Sequence, residues 1–454
     1  MRSQLMPPRP PLKWLSFSAA LLPQARGGTE VYVARLAEAL ASLGVRVTLA
    51  SYGEQESPSE PMPRRALPPI PSTPSRWQRW SCHPFREAEF AKLLREVEPD
   101  VVHFHGSLVT NPPEFMAAAK SRGAVVLWTF HAPGQTCLQT ALLREGRTPC
   151  DGQVIAHRCA RCTLVAAGIP TPLAQLFGAV DLHAVAGLVP PPVRHPFEVR
   201  RGVVKFQERL NRAVAEVDLN ITHADWTREL LLRNGALPES IRHLALPPPS
   251  EQELGLNFGE AGPVTPSEGP GAAFRLLFAG RFIDVKGLHL IARAFAGPLR
   301  HDRSITLTVL GIPGVAAYET KLRALVGGDP RVTILESAAT PTVFRHMRDA
   351  DAVVVPSTWL ETGPYTVLEA QLAGAAVVGT DLGGIRELTR EDPEAYLFKH
   401  GDVESLADSI RAAAGRRLSP SARLERSMTM ASRHRGRFTE SLHLLLRELA
   451  SARP

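Results

Sequence analysis

The chain has 454 residues, 44% of them hydrophobic and 21% charged, which allows two or three domains and excludes global disorder. Its 52 basic and 45 acidic residues leave a net charge of +7, which is mild for this length. That balance suits anionic small ligands, and without a basic run interleaved with aromatics it gives no argument for nucleic acid. Collagen-like, coiled-coil and disulfide-scaffold classes fail on composition, and no run of about 18 apolar residues predicts a membrane span.

The first residues, MRSQLMPPRPPLKWLSFSAALLP, are broken by prolines and carry Lys13, so they do not read as a signal peptide and a cytoplasmic location is expected. LKWLSFS predicts a short apolar strand. In the RGGTEVYVARLAEALASLG that follows, Val31, Leu36, Ala39, Leu40 and Leu43 recur at helical spacing and Gly44 ends the helix. VRVTLAS is the next strand, and residues 52–80 form a long Pro/Ser-rich loop. Helix 85–97, strand VVHFHG, helix PPEFMAAAKSRG and strand AVVLWTFH follow in turn. Strand VDLNITHA, helix DWTRELLLRNG and the short strand IRHLAL close this half. Residues 251–272 are rich in Gly, Pro, Glu and Ser and read as a linker between domains.

The alternation then restarts with FRLLFAG, ITLTVLG, VTILES, DAVVVPS and AAVVGTD, each separated from the next by a helical stretch. Continuous apolar strands imply sheets covered on both faces, as in parallel doubly wound folds. The expectation is α/β, with two Rossmann-like domains facing across a cleft: residues 1–250, then the linker, then 273–436. Ligands of such sheets sit beyond the carboxyl ends of the strands.

Three strand ends carry residues suited to that task. After the first strand, Gly27-Gly28 permits a close approach of backbone to a ligand, although it is no GxGxxG fingerprint and does not point to a nicotinamide cofactor. After FRLLFAG, Arg281 and Lys286 bracket a short loop and Gly287 opens the next helix, a pattern that suits a diphosphate or two solvated surface charges. After DAVVVPS comes TWLETGPYTVLEAQLAG. Here Pro364 fits the first helical position, Thr362 or Gly363 the cap, and the N–H groups around Tyr365 and Thr366 can hold a phosphate. Glu361 lies before this helix and Glu369 about one and a half turns into it. Beside a phosphate, such carboxylates suit the donor hydroxyls of a sugar or ribose. Gly383-Gly384 and Glu387 follow the next strand.

These residues are linked as G-R-x(4)-K-G at 280–287, S-x-W-x-E-x(2)-P-x(4)-E-A at 357–370 and G-x-D-x-G-G-I-x-E at 379–387. In that order and spacing the second half resembles the nucleotide-sugar-binding domain of retaining glycosyltransferases of family 4, of GT-B fold, with Glu361 and Glu369 as the Glu-(x)7-Glu signature. The first half is similar to the family's acceptor domain through Gly27-Gly28, the Pro99-to-His103 strand and Thr129-Phe130-His131. The resemblance implies that Arg281 and Lys286 bind the diphosphate of a UDP-, GDP- or ADP-sugar, and that Glu369 holds ribose hydroxyls. It implies that Glu361 contacts the donor sugar at the reacting centre and that backbone from Gly363 through Pro364 and Tyr365 to Thr366 holds sugar hydroxyls and phosphate. It further implies that His131 faces the sugar from the opposite domain, that Gly28 packs against donor or acceptor, and that a final helix, about 437–450, crosses back onto the first domain. No cofactor is implied for catalysis, and the acceptor is a glycan, a lipid-linked glycan or a small molecule. Another GT-B enzyme, such as a nucleotide-sugar epimerase, and a non-catalytic nucleotide-sugar-binding subunit are the alternatives. One departure is Leu246-Pro247-Pro248-Pro249-Ser250, where many relatives have Pro-x-Gly-x-Asp.

Two further features stand outside the donor motifs. Cys137, Cys150, Cys159 and Cys162 fall within 26 residues, in an insertion of about 132–192. The CxxC at 159–162 is half of a zinc knuckle and four thiolates can close a tetrahedral site, with His157 as a spare ligand. A structural zinc, an iron–sulfur cluster, a redox pair and buried thiols all remain open, and Cys82 reads as a small buried hydrophobe. Residues 197–217 form a basic helix with Arg200, Arg201, Lys205, Arg209 and Arg212, either a solvated face or a peripheral contact with the inner face of a membrane.

Overall fold

The continuous apolar runs become the central strands of two parallel sheets. A computed structural model describes residues 10–25, 27–53, 62–69, 84–186, 188–190, 195–254, 273–312, 314–326, 328–336 and 339–451. Arg26, Cys82 and residues 255–272 of the expected linker lie outside these. The chain divides into two compact units, the first made of residues 1–222, 227–243 and 447–454 and the second of 223–226 and 244–446.

The first unit has seven parallel strands: β1 (Lys13–Phe17), β2 (Arg46–Tyr52), β3 (Arg64–Leu67), β4 (Val101–His105), β5 (Val125–Thr129), β6 (Leu219–Thr222) and β7 (Ile241–His243). Their order is β3-β2-β1-β4-β5-β6-β7, so the winding reverses between β1 and β4. Every residue of β4 is buried, as covered parallel strands require. Phe17, Phe90, Phe104 and Phe115 form an aromatic cluster under the helices Pro84–Val97 and Pro113–Lys120, with Phe90 stacked on Phe115 at 4.1 Å. Strand β3 falls inside the stretch expected to be loop. Its sequence RRAL buries only Leu67, because an edge strand needs partners on one side alone.

The insertion after β5 is a 3-10 turn at Pro133–Gln135, a hairpin pairing Leu143–Arg144 with Thr148–Pro149, and helices Ala156–Ala166, Thr171–Ala179 and His183–Ala186. The basic helix runs from His195 to Glu216 and buries Val203, Phe206, Leu210 and Ala213 against the unit.

The second unit has six parallel strands: β8 (Phe274–Arg281), β9 (Ile305–Ile312), β10 (Val332–Glu336), β11 (Ala352–Val355), β12 (Ala376–Thr380) and β13 (Ala395–Phe398). Their order is β10-β9-β8-β11-β12-β13, and the reversal lies between β8 and β11. All residues of β11 and β12 are buried. The edge strand β13 was not among the expected strands, since four residues in a polar setting carry little periodic signal. The final helix is a single element of 32 residues, Pro420–Ser451. Asp392, buried, is held by Arg426 of that helix and by Gln371 at 2.7 Å, and His434 bonds Gln371 at 2.8 Å. From Arg447 onward the helix belongs to the first unit, where Glu448 takes a two-pronged bond from Arg242 at 2.6 Å.

Candidate functional site

In open parallel sheets the reversal of winding leaves a crevice beyond the strand ends. The second unit places its motif residues there. Lys286 ends a short 3-10 turn, Asp284–Lys286, that follows β8. Gly287 comes next in the left-handed region at φ 71°, and a Cβ there would lie 1.8 Å from the Pro356 carbonyl oxygen at the end of β11. Only glycine permits that approach, and it seats Lys286 beside the loop carrying Glu361. Lys286 Nζ donates to Glu361 Oε1 at 2.7 Å, and Ser357 Oγ donates to the same oxygen at 2.7 Å. The ammonium also lies 5.5 Å from the centre of the Trp359 ring.

Glu361 is 8% exposed. Burial alone would raise its pKa. The charge and hydrogen bond of Lys286, with Trp359 and Ser357 adding to the pull, outweigh burial and leave the carboxyl below its ordinary range. It is therefore an ionised acceptor and not a proton donor at neutral pH. Its backbone is fixed as well. The Glu361 carbonyl accepts from Gly384 N–H at 2.7 Å and from Trp226 Nε1 at 3.0 Å, and a Cβ on Gly384 would stand 2.6 Å from that carbonyl. Glu387 receives the N–H groups of Asp225 and Trp226 at 2.5 and 3.0 Å, and burial nonetheless pushes its carboxyl up.

The helix after Glu361 starts at Tyr365, one residue later than expected. Pro364 is its N-cap, and its carbonyl accepts the first turn bond from Val367 at 3.0 Å. Tyr365 and Thr366 then supply first-turn N–H groups, which no intrahelical carbonyl precedes. Gly363 packs against Leu246, where a Cβ would approach to 2.8 Å. Glu369 is the fifth helical residue and half-buried, and Arg281 is exposed at the end of β8. The expected diphosphate pair thus has unequal members: Arg281 faces solvent, whereas Lys286 is engaged with a carboxylate.

In the first unit, Gly27 caps helix Gly28–Ser42, and the Glu30 side chain folds back to accept Gly27 N–H at 2.8 Å. A Cβ on Gly28 would meet nothing within 4 Å, so this turn opens onto free space. Tyr32 of the same helix packs edge-on to His131, with centroids 4.8 Å apart. His131 Nε2 bonds His105 Nδ1 at 3.0 Å, and His105 Nε2 bonds Ser16 Oγ at 3.2 Å. One nitrogen of each histidine pair must accept, so both rings cannot be imidazolium while this bond stands. Gln135 holds the His131 backbone, accepting its N–H at 2.5 Å and donating to the Thr129 carbonyl at 3.0 Å. His105 and Ser16 were not singled out by sequence. The signal available was the alternation in VVHFH, which sets His103 and His105 on one sheet face.

The four cysteines are unpaired and all line one small cavity of the first unit, about 30 Å³ in volume. Among the described residues, no three His, Cys, Asp or Glu side chains stand in an arrangement ready to hold a metal ion. The basic helix is partly committed to its own unit: Arg200 donates to the Gly178 and Ala179 carbonyls, and Arg209 and Arg212 pair with Glu114. Among the described residues no helix is long and apolar enough to cross a membrane.

Comparison with known proteins bears on the family and the fold. Residues 273–415 match the family described as Glycosyl transferases group 1, and residues 26–244 match Glycosyltransferase Family 4. A D-inositol 3-phosphate glycosyltransferase of Geodermatophilus obscurus is 30% identical over 247 residues, 50% of this chain and 51% of its own length. One from an Arthrobacter species is 36% identical over 147 residues, 32% of this chain and 35% of its own length. The chain thus spans between a third and a half of the curated relatives it matches. Sucrose-phosphate synthase from Thermosynechococcus elongatus superposes with TM-score 0.64 at 17% identity, covering 97% of this chain and 100% of that one. Anabaena HepE in complex with UDP superposes with TM-score 0.60 at 15% identity, covering 96% and 100%. The two parallel-sheet units are those of the GT-B fold, and the chain carries a Glycosyltransferase Family 4 domain over residues 26–244 and a Glycosyl transferases group 1 domain over residues 273–415.

Proposed function

We propose that the protein is a retaining glycosyltransferase that moves a sugar from a nucleotide-sugar donor to a glycan, lipid-linked or small-molecule acceptor. The observation that carries this reading is the ion pair of half-buried Lys286 with buried Glu361 at the β8/β11 reversal, beside the helix that starts at Tyr365. Lys286 has three N–H donors and gives one to Glu361, which leaves others for the donor diphosphate. The leaving diphosphate gains negative charge as the glycosidic bond breaks, so a fixed cation there binds the transition state more tightly than the ground state. Arg281, exposed at the end of β8, completes the diphosphate contact. Glu361, ionised, accepts hydroxyl hydrogens of the donor sugar, and Glu369 accepts those of the ribose. Backbone from Gly363 to Thr366 holds phosphate and sugar oxygens. In the first unit, His131 follows β5 and Gly28 opens the helix after β1, at the strand ends where such sheets take ligands.

None of these steps uses a metal. The relatives' names make a phosphorylated polyol one acceptor to test, and the ligands of the solved neighbours make UDP and ADP the first nucleotides. The four unpaired cysteines favour a reducing compartment and hence the cytoplasm. Any contact with a membrane's inner face would be electrostatic, through exposed cations such as Arg201, because the apolar face of the 195–216 helix is already buried.

The test is thermal melting against UDP, GDP and ADP and their sugar conjugates, followed by donor turnover in Glu361→Gln. A ligand at about 100 times its Kd adds roughly 2.7 kcal/mol, so one base should raise the melting temperature visibly. Turnover should fall by roughly 10²–10³ in the variant. No shift with any nucleotide, or unchanged turnover in Glu361→Gln, would overturn the reading.

A further inference from the structure

The insertion after β5 contains more internal constraint than a surface loop needs. Thr140, Leu142 and Glu145 sit in the left-handed region at φ 59°, 50° and 55°, and Glu98 is the one other non-glycine residue so placed among the described residues. Three such residues within six persist only where the surroundings dictate the backbone. The path they impose turns N–H groups toward sulfur. Cys137 Sγ is approached by the N–H groups of Gln139, Ala141 and Leu142. Cys162 Sγ accepts from Glu145 N–H at 3.1 Å, and Cys159 Sγ from Ile155 N–H at 3.5 Å. Burial pushes the Cys137, Cys159 and Cys162 thiols up, and these N–H donors offset part of that rise.

The sulfurs come from three separate pieces of backbone. Cys137 follows the 3-10 turn, Cys150 follows the hairpin, and Cys159 and Cys162 lie three apart on one face of helix Ala156–Ala166. All four line the same cavity, whose volume admits a single small species. The Arg158 guanidinium near Cys150 and Cys159 is itself held by Asp151 through two bonds at 2.7 and 2.6 Å, which fix the chain between the second and third cysteines. The loop is also locked onto the scaffold from outside. Asn234 accepts from Val154 N–H and donates to the Gly152 carbonyl, both at 3.0 Å, and Gln207 donates to the Val154 carbonyl at 3.0 Å.

We propose that this loop binds one Zn²⁺ through the thiolates of Cys137, Cys150, Cys159 and Cys162, as a tetrahedral structural site. Zn²⁺ enters, four S–H bonds give up their protons to solvent, four Zn–S bonds form at about 2.3 Å, and nothing is oxidised or reduced. The metal-bound sulfurs draw inward from their present positions into the cavity they already line. The consequence for catalysis rests on the glycosyltransferase reading: Gln135, two residues before Cys137, fixes the His131 backbone, so the zinc would brace His131.

The experiment is metal analysis of the full chain, purified under reducing conditions without added metal, together with reconstitution in Co²⁺. The expected result is about one equivalent of zinc per chain and, with cobalt, the charge-transfer and d–d bands of a tetrahedral tetrathiolate. Cys159→Ser and Cys150→Ser should each lose the zinc and open residues 137–162 to protease, whereas Cys82→Ser should keep it. Zinc and iron both below about 0.2 equivalents, with four reactive thiols in the cluster and no cobalt bands, would overturn the site. One equivalent of iron in place of zinc, or a disulfide among the four, would overturn the zinc assignment. Because metal content and cobalt bands do not depend on turnover, they stand or fall apart from the catalytic reading. If zinc braces His131, Cys159→Ser should also lower turnover while keeping the nucleotide-induced melting shift, whereas failure of the catalytic reading would remove that shift from the parent protein too.

Discussion

At the β8/β11 reversal a cation and a carboxylate are clamped together at 2.7 Å, while beside the β1/β4 reversal the polar groups form a chain of rings and a hydroxyl, Ser16–His105–His131. The first arrangement holds a buried carboxylate against a half-buried ammonium. It tolerates no loss of a partner, because the survivor would be left charged and unpaired. The second is made of two hydrogen bonds between atoms that can each donate or accept, so either bond can reverse its direction without a change of net charge.

The comparison can be broken most decisively at Gly287. With left-handed φ and a Cβ destined for 1.8 Å from Pro356 O, Gly287→Ala should lower the melting temperature by roughly 10 °C or more, or prevent soluble expression. A near-native melt would mean the 280s loop can leave β11, and the charge pair would not be clamped. Next in size is Lys286→Met. It should cut donor turnover by roughly 10²–10³ and also destabilise the fold, since Glu361 loses its counter-charge. The double variant Lys286→Met/Glu361→Gln should recover stability but not turnover, and recovery of both would refute a catalytic role for the pair.

Acid should act on the second unit through a different residue. Burial first, then Arg437 and Arg433 nearby, depress His434 from 6.5 to about 4. The unfolded chain therefore binds the extra proton between those values, so stability is present above 6.5 and is lost as pH falls. The loss should reach roughly 3 kcal/mol near pH 4, measured by urea melts across that range. His434→Gln should flatten this dependence, and an unchanged slope would assign acid sensitivity elsewhere. The smallest effect is expected in the histidine chain. His105→Asn should lower turnover by about tenfold through a misplaced His131 and shift the pH profile, while leaving nucleotide binding intact.

Most of the sheet architecture was legible because buried parallel strands have an apolar run as their signature: FRLLFAG, ITLTVLG and DAVVVPS announce β8, β9 and β11 directly. The edge strands β3 and β13 carry no such run, and RRAL within a Pro/Ser-rich stretch looks like loop. At the site, residue identities were legible and relationships were not. The G-R-x(4)-K-G and S-x-W-x-E motifs marked Lys286, Ser357 and Glu361, but a bond across 75 positions depends on which strands are neighbours. The helix start moved from Pro364 to Tyr365 because Pro364 sits at ψ 119°, extended backbone of the kind an N-cap adopts. The basic helix shows the limit of reading charge alone: Arg200 serves two carbonyls at the end of helix Thr171–Ala179, a partner no linear pattern names.

The final helix has a consequence for inheritance. Each unit is closed by a piece of chain that lies beyond the other's main span: residues 223–226 count with the second unit and residues from Arg447 with the first. A single recombination event in the 244–272 region would hand the first sheet a foreign last turn of helix, with an unrelated residue where Arg242 expects Glu448. The two units therefore cannot be traded between related chains by one crossover. A successful exchange needs a second junction inside the last helix, and natural chimaeras of this kind should carry that second scar.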